Sequence, residues 1–132
     1  MLDKYNQTSF TKMKRFLILL FLVCCLQAHA QDISYVKHAH GWYHIYDDRG
    51  KKTGAVSASA GLLVGYGSEF LIVRKDSWYY LYDSKGKRLR GLSKSNIGEV
   101  IAVSGNTFTS RLGSWIYLWN KEGKKLRSYS AR

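Results

Sequence analysis

The chain contains one stretch that decides its fold, Ser77-Trp78-Tyr79-Tyr80-Leu81-Tyr82-Asp83-Ser84-Lys85-Gly86-Lys87-Arg88. The same pattern occurs twice more, as Gly41-Trp42-Tyr43-His44-Ile45-Tyr46-Asp47-Asp48-Arg49-Gly50-Lys51-Lys52 and as Ser114-Trp115-Ile116-Tyr117-Leu118-Trp119-Asn120-Lys121-Glu122-Gly123-Lys124-Lys125. The tryptophans Trp42, Trp78 and Trp115 lie 36 and 37 residues apart. Self-similarity at a period of this length indicates a repeat protein.

Each copy joins a strand pattern to a turn pattern. Aromatic and branched aliphatic residues such as those of 78–82 favour extended backbone. They are followed by Asp or Asn, two further residues and Gly, which is typical of a tight turn, and then by two basic residues. Each copy therefore predicts a β-hairpin.

A second block fills the space between the copies. The stretches from Gly61 to Arg74 and from Gly98 to Arg111 align in register, and each is followed three residues later by a serine. One unit is then four short strands in about 37 residues, whereas Ile33 to His38 matches only the strand at Leu71 to Lys75. We expect a single all-β domain of about 2.5 units and ten to eleven strands, arranged as a small barrel, a sandwich or a short hairpin solenoid.

The N-terminus has the pattern of an export signal. Met13-Lys14-Arg15 precedes an apolar run from Phe16 to Leu26, and Ala28-His29-Ala30 precedes Gln31. This order predicts a signal peptide over residues 1–30, with Met13 as an alternative start and cleavage after Ala30. The apolar run is too short to span a bilayer as a helix, so no transmembrane span is expected in the mature chain. Export would bring the protein to the periplasm, the cell surface or the medium.

Both cysteines, Cys24 and Cys25, lie within the predicted signal peptide. The mature chain would then contain neither a disulfide nor a thiolate metal site. A lipoprotein is the alternative, because Leu22-Val23-Cys24-Cys25 partly fits a lipid-attachment sequence. That alternative is less favoured, since no small residue directly precedes either cysteine.

The mature chain is strongly basic. Seventeen of the 21 Lys and Arg residues and eight of the nine acidic residues follow Ala30, which gives residues 31–132 a net charge of +9. Such a surface attracts polyanions, and outside the cytoplasm these are lipopolysaccharide, acidic glycans, anionic membranes or released nucleic acid. The alternative is that lysines at the turns keep sheet edges soluble.

Alternation along each strand separates two sets of side chains. One set is Tyr43, Ile45, Tyr79, Leu81, Ile116 and Leu118, the expected core. The other set is almost wholly aromatic: Trp42, His44, Tyr46, Trp78, Tyr80, Tyr82, Trp115, Tyr117 and Trp119. These rings are the larger half of a core if their face is covered, and a ligand surface if it is open.

The stretch Ser77 to Gly86 resembles the hairpin repeats of bacterial cell-wall-binding modules, which bind choline or glucan. The pattern Trp-x-x-x-x-Asp-x-x-Gly-Lys is also similar to the WG repeats of bacterial surface proteins. The resemblance covers the three copies, about a third of the chain; here one extra residue separates Trp from Gly, no Gly directly follows Trp, and the unit is longer than the wall-binding repeat. The signal ending and the Trp-x-Tyr strand also resemble short secreted repeat proteins of Bacteroidetes. The resemblance implies a non-enzymatic repeat module, with ligands held between aromatic hairpins.

Candidate metal and catalytic sites find little support in the sequence. His38, His40 and His44 would share one face of a continuous strand and could bind zinc or copper, but Gly41 predicts a turn that breaks the alignment. The acidic residues form no pair suited to glycoside hydrolysis, and no serine lies in a nucleophile elbow. We expect neither a cofactor nor an enzyme.

The combined pattern predicts a secreted binding module of the bacterial envelope. The expected partner is a glycan or another anionic polymer, not a specific nucleic acid. The alternative is a structural or protein-interaction repeat, able to bind copies of itself, in which the aromatic residues are core. The candidate ligand-binding residues are Trp42, Tyr46, Trp78, Tyr80, Tyr82, Trp115, Tyr117 and Trp119. The candidate anion-binding residues are Lys51, Lys52, Lys87, Arg88, Lys124 and Lys125.

Export predicts that the mature protein begins at Gln31. Replacing Ala30 with arginine should block cleavage, because the signal peptidase requires a small residue there, and the precursor should accumulate. Mass spectrometry of the protein from the periplasm or medium measures the mature N-terminus, and mass spectrometry of whole cells measures the precursor. Cys24→Ser is the control and should leave processing unchanged; a mature protein that begins at a lipid-modified Cys24 or Cys25 would contradict the prediction.

Overall fold

The computed structural model describes residues 32–132, which form one compact unit of eleven strands. The strands make three antiparallel sheets, in each of which neighbours along the chain pair with one another. Sheet A consists of β1 (Tyr35–Ala39), β2 (Trp42–Tyr46) and β3 (Lys52–Ser57). Sheet B consists of β4 (Leu62–Tyr66), β5 (Phe70–Lys75), β6 (Trp78–Asp83) and β7 (Arg88–Ser93). Sheet C consists of β8 (Glu99–Ser104), β9 (Thr107–Leu112), β10 (Trp115–Asn120) and β11 (Lys125–Ser130).

This arrangement confirms the all-β repeat fold. The described strands remain in three open sheets and do not close into one barrel. Within the described residues sheet A has three strands, and it lacks the counterpart of β4 and β8 that begins the other two sheets. A 3-10 turn at Ala58–Ala60 leads from sheet A to sheet B, and the short helix α1 (Lys94–Ile97) leads from sheet B to sheet C.

The predicted turn is held by its own side chain. The Oδ1 atom of Asp47, Asp83 or Asn120 accepts hydrogen bonds of 2.9–3.0 Å from the backbone amides two and four residues further on. The glycine of each turn has a positive φ, for example +84° at Gly86, which an L side chain adopts only with strain. The Asp-x-x-Gly sequence thus reverses the chain in the same way in all three sheets.

Sheet B lies between the other two sheets and is covered on both faces. On one side Tyr43, Ile45 and Val56 of sheet A pack with Leu71, Val73 and Tyr82 of sheet B, and we call this group the first core. On the other side Tyr79, Leu81 and Leu92 of sheet B pack with Ile97 and Phe108, and we call this group the second core. Phe70 and Ile72 also belong to the second core. Alternation along β5 therefore supplies both cores with side chains from one strand.

Tyrosine hydroxyl groups connect each sheet to the first strand of the next. The hydroxyl of Tyr43 donates to the carbonyl of Gly61 at 2.8 Å and accepts from the amide of Leu63 at 3.2 Å. The hydroxyl of Tyr79 accepts from the amide of Val100 at 3.3 Å. Because both rings are buried, these hydrogen bonds satisfy hydroxyl groups that would otherwise be costly to bury.

The turns of neighbouring sheets also contact each other. The hydroxyl of Thr53 in sheet A donates to the carbonyl of Ser84 in the β6–β7 turn at 2.7 Å. The amide of Ser68 in the β4–β5 turn donates to the carbonyl of Gly105 in the β8–β9 turn at 2.8 Å. The sheets are therefore joined by hydrogen bonds at their turns as well as by their apolar cores.

No helix among residues 32–132 has the length and apolarity needed to cross a membrane.

The turn geometry predicts that Asp83 stabilises the fold through its side-chain oxygen. Asp83→Ala should lower the free energy of unfolding by about 1 kcal/mol, because two amides lose their acceptor. Asp83→Asn should retain most of the stability, since Asn120 accepts the same pair of hydrogen bonds in sheet C. Urea denaturation of the variants measures the change. Asp48→Ala, at an exposed position beside the equivalent turn, is the control, and equal losses in both alanine variants would contradict the prediction.

Candidate functional site

Three tryptophans occupy equivalent positions and are about half exposed. Trp42, Trp78 and Trp115 are the first residues of β2, β6 and β10, and their relative exposures are 46%, 46% and 49%. Each lies directly opposite a serine on the following strand: Ser57, Ser93 or Ser130. A small side chain at that position leaves much of the indole uncovered, and we call these three residues the tryptophan row.

Hydroxyl groups flank the first two members of the tryptophan row. Ser57 and Ser59 share a hydrogen bond of 2.8 Å between their Oγ atoms, and Ser93 and Ser95 share one of the same length. The sequence carries this signal as Ser-x-Ser repeated 36 residues apart. Strand pairing brings each serine pair beside a tryptophan, which sequence reasoning did not anticipate.

The fourth tryptophan belongs to the interior. Trp119 is half-buried, and its indole stacks on Phe108 with ring centroids 6.2 Å apart. Its Nε1 atom donates a hydrogen bond of 2.8 Å to the hydroxyl of Ser110, which is fully buried. Trp119 therefore lies against the second core and does not extend the tryptophan row.

The other predicted ring residues are also engaged with neighbours. Tyr82 is buried in the first core, and Tyr80 packs against it. Tyr46 stacks on Tyr35 with ring centroids 4.7 Å apart. The Lys125 ammonium group lies 4.7 Å from the ring centroid of Tyr117. Of the eight ligand-binding candidates, the tryptophan row is thus the most exposed repeated set.

The basic pairs lie at the opposite end of the strands from the tryptophan row. Lys51, Lys87 and Lys124 are in the turns, and their partners Lys52, Arg88 and Lys125 begin β3, β7 and β11. Arg88 pairs with Tyr82, four residues along β6 from Trp78, so the two sites are separated by about 13 Å of strand. The structure therefore gathers the predicted aromatic and anion-binding residues at two different ends of each sheet.

Arg88 is the basic residue most closely tied to the aromatic face. Its guanidinium carbon lies 4.3 Å from the ring centroid of Tyr80, within cation–π range. Nη2 donates a 3.5 Å hydrogen bond to the hydroxyl of Tyr82, and this contact chiefly raises the pKa of Arg88 above its ordinary value. The group stays charged at every physiological pH.

An open groove of about 280 Å³ runs between the first strands of sheets B and C. It is lined by residues 64–66 of β4 and 100–103 of β8. Leu62 and Ile101, on the same two strands, are the most exposed aliphatic residues of the described chain, at 70% and 53%. Apart from Gly65 and Tyr66 the lining residues are aliphatic, and none of them is acidic or a histidine.

The histidines do not converge. His40 lies in the β1–β2 turn with a φ of +55°. His38 pairs with Tyr43, and its ring lies 4.8 Å from the ring of Tyr43, whereas His44 is on the opposite face of β2. Within residues 32–132 no three His, Cys, Asp or Glu side chains are grouped so that they could hold a metal ion.

No known protein family model matches this sequence, and no curated protein is similar to it.

The exposure pattern predicts opposite roles for two adjacent residues. Trp78→Ala should lower the free energy of unfolding by about 1–2 kcal/mol, because half of the ring is already in water. Tyr79→Ala should lower it by about 3–5 kcal/mol, because that ring is fully buried in the second core. Urea denaturation compares the two variants. A larger loss in Trp78→Ala than in Tyr79→Ala would contradict the prediction and would make the tryptophan a core residue.

Proposed function

We propose that this protein is an exported, non-enzymatic binding module of the bacterial envelope that holds a glycan on its tryptophan row. The observation that carries the proposal is the repetition of a half-exposed tryptophan at one register position in all three sheets. Burying a large ring is favourable, so a fold that leaves three equivalent rings half in water has forgone that stabilisation three times. Repeated exposure of this kind is typical of a binding surface.

The chemistry of the row suits a carbohydrate. A sugar ring presents an apolar face of C–H groups that can stack on an indole, while its hydroxyl groups need hydrogen-bond partners. The Ser57–Ser59 and Ser93–Ser95 pairs supply hydroxyl groups beside Trp42 and Trp78. An aromatic platform with polar neighbours meets both needs at once.

The spacing of the row favours a polymer over a single sugar. The sheets pack face to face, and packed sheets are about 10 Å apart, so successive tryptophans recur at about that interval. A chain of sugars could contact more than one tryptophan. Weak contacts to each ring would then add through the high effective concentration of the second and third contacts.

The basic turns act at longer range than the tryptophan row. They lie about 13 Å of strand away from the row, so a sugar on Trp78 does not also contact Arg88. Their charge attracts an anionic polymer or an anionic envelope surface at longer range, which raises the rate of encounter. Stacking and electrostatic attraction are then separable in experiment.

The proposal predicts that glycan binding depends on Trp78. An array of neutral and acidic polysaccharides identifies the ligand, and calorimetry then compares variants. Trp78→Ala should weaken binding about tenfold, because one stacking contact is lost, and Trp78→Phe should retain part of it. Tyr66→Ala is the matched control, since Tyr66 is a similarly exposed aromatic residue on β4, away from the row.

Salt concentration distinguishes stacking from charge attraction. Binding by the tryptophan row should change little when the salt concentration is raised about tenfold, whereas binding by the basic turns should fall steeply. A Lys87→Ala and Arg88→Ala double variant should reduce only the salt-sensitive part. If Trp78→Ala binds every polysaccharide as well as the wild type, the proposed site is wrong.

A further inference from the structure

We propose that this chain binds a second copy of itself head to tail, with the outer face of sheet C against the outer face of sheet A. The outer face of sheet C carries Ile116 paired with Tyr129 and Leu118 paired with Arg127. The outer face of sheet A carries Tyr35, Lys37, His44 and Tyr46, which pair across β1 and β2. Each of these outer faces is equivalent to a face that packs against another sheet inside the molecule.

The two internal interfaces use the same pair of faces. In the first core the Tyr43 and Ile45 face of sheet A packs on the Tyr82 face of sheet B. In the second core the Tyr79 and Leu81 face of sheet B packs on the Trp119 face of sheet C. The arrangement continues in one direction along the chain. In sheet C, the face equivalent to the Tyr43 and Ile45 face of sheet A points outward. In sheet A, the face equivalent to the Tyr82 face of sheet B points outward.

The outer face of sheet C retains the apolar character of an internal face. Ile116 and Leu118 take the positions of Tyr79 and Leu81, and Tyr129 takes that of Leu92. Leu126 corresponds to Leu89, which packs against the second core. Tyr129 and Leu126 are 47% and 51% exposed, whereas Leu92 is buried. Arg111 and Arg127 lie on the same face opposite Ile116 and Leu118, so the apolar stripe has an arginine on each side. An exposed apolar stripe of this kind is typical of an interaction surface.

Ile116 has no hydroxyl group, which suits contact with sheet A, because sheet A has no counterpart of β4 and β8 among the described residues. Tyr43 and Tyr79 use their hydroxyl groups to bind the backbone at the start of β4 and β8. Among the described residues sheet A has no such first strand, so a copy docked by sheet A offers no backbone group at that place. A hydroxyl there would be buried without a partner. Ile116, the equivalent residue in sheet C, carries none.

The outer face of sheet A carries aromatic and polar side chains at the matching positions. Tyr35 and Tyr46 replace Leu71 and Tyr82 of the first core, and they stack on each other with Tyr35 42% exposed. The Nδ1 atom of His44 is buried without a hydrogen-bond partner within the described residues. Lys37 takes the place of Val73, and its aliphatic stem can cover apolar surface while its ammonium group stays in water.

Within the described residues, the turn of sheet A lacks the contact with a preceding sheet that the turns of sheets B and C make. The glycine of the second turn, Gly86, lies against the carbonyl of Ala55 in the preceding sheet, and Gly123 of the third turn lies against the side chain of Arg90. At Gly50, the first turn, the space a Cβ would occupy has no described heavy atom within 4 Å. Docking on sheet C would place this turn against β11, as the internal interfaces place theirs.

The two faces differ from each other, so the contact is heterologous. Such contacts close into a ring when the rotation per copy allows it and otherwise extend as a filament. The tryptophan row stays accessible in either case, because Trp78 and Trp115 remain half exposed although their faces take part in the internal interfaces. The inference is therefore independent of the proposed glycan site.

Light scattering of the purified protein, recovered from cells that express the full chain, tests the inference. The mass should rise with protein concentration, and the dissociation constant should fall at higher salt, because screening relieves repulsion between two copies with a net charge of +9 over residues 31–132. Tyr129→Lys should raise the dissociation constant about tenfold or more. Leu62→Lys is the matched control, since Leu62 is exposed on β4 of sheet B and therefore lies on neither outer face, and it should leave the association unchanged.

A mixing experiment distinguishes head-to-tail docking from a symmetric contact. Tyr129→Lys disrupts only the docking face of sheet C, and Tyr35→Lys disrupts only the docking face of sheet A. Each variant alone should be monomeric, and the mixture should form a dimer through the one intact junction. Far-ultraviolet circular dichroism verifies that both variants are folded. A wild type that is monomeric at all concentrations, a mixture that does not associate, or an association abolished by Leu62→Lys and not by Tyr129→Lys would overturn the inference.

Discussion

The four consecutive buried residues of β5, Phe70 to Val73, impose the constraint on which the rest of the structure depends. Side chains alternate along a strand, so a strand buried at every position needs cover on both faces of its sheet. Sheet B therefore requires sheet A on one side and sheet C on the other. The order of the three sheets along the chain, and the two separate cores, follow from this requirement.

The same aromatic stretch serves different purposes according to its place between the sheets. Its first residue lies at the end of the strand beside a serine and stays half in water in all three sheets. Its second residue is buried in sheets A and B, where another sheet follows, and is only half-buried in sheet C, where none follows in the described chain. Burial is thus decided by the neighbouring sheet, whereas the turn after the strand is decided by the stretch itself.

The separation of the tryptophan row from the basic turns shapes the functional proposals. Rings and charges lie at opposite ends of each sheet, so contact binding and long-range attraction are carried by different residues. The outer faces of sheets A and C are the proposed self-association surface, and Trp42 lies at the end of the sheet A face. Trp78 and Trp115 stay half exposed beside internal interfaces, so a glycan on the row and a second copy on the outer faces are compatible.

The β-hairpins, their period and their turns are predictable from the amino-acid sequence alone. Trp-x-x-x-x-Asp-x-x-Gly is a local signal, because the aspartate binds amides two and four residues away and the glycine adopts a positive φ. It also indicated which face of β2 is core, since alternation is a property of the strand alone. The all-β repeat fold, and the equivalence of the tryptophans, were predictable for these reasons.

Which aromatic residues are buried and which are exposed depends on how the three sheets pack. Trp119 and Trp78 lie on the same kind of strand, yet one stacks on Phe108 and the other faces water. The serine pairs beside the tryptophans, and the distance of the basic turns from them, depend on strand register across the sheet. Burial depends on contacts between residues far apart along the chain. The side-chain pattern of one strand does not show which other strands pack against it. Each copy of the repeat places similar side chains on the two faces of its sheet. The position of the sheet in the stack then determines which of the two faces another sheet covers.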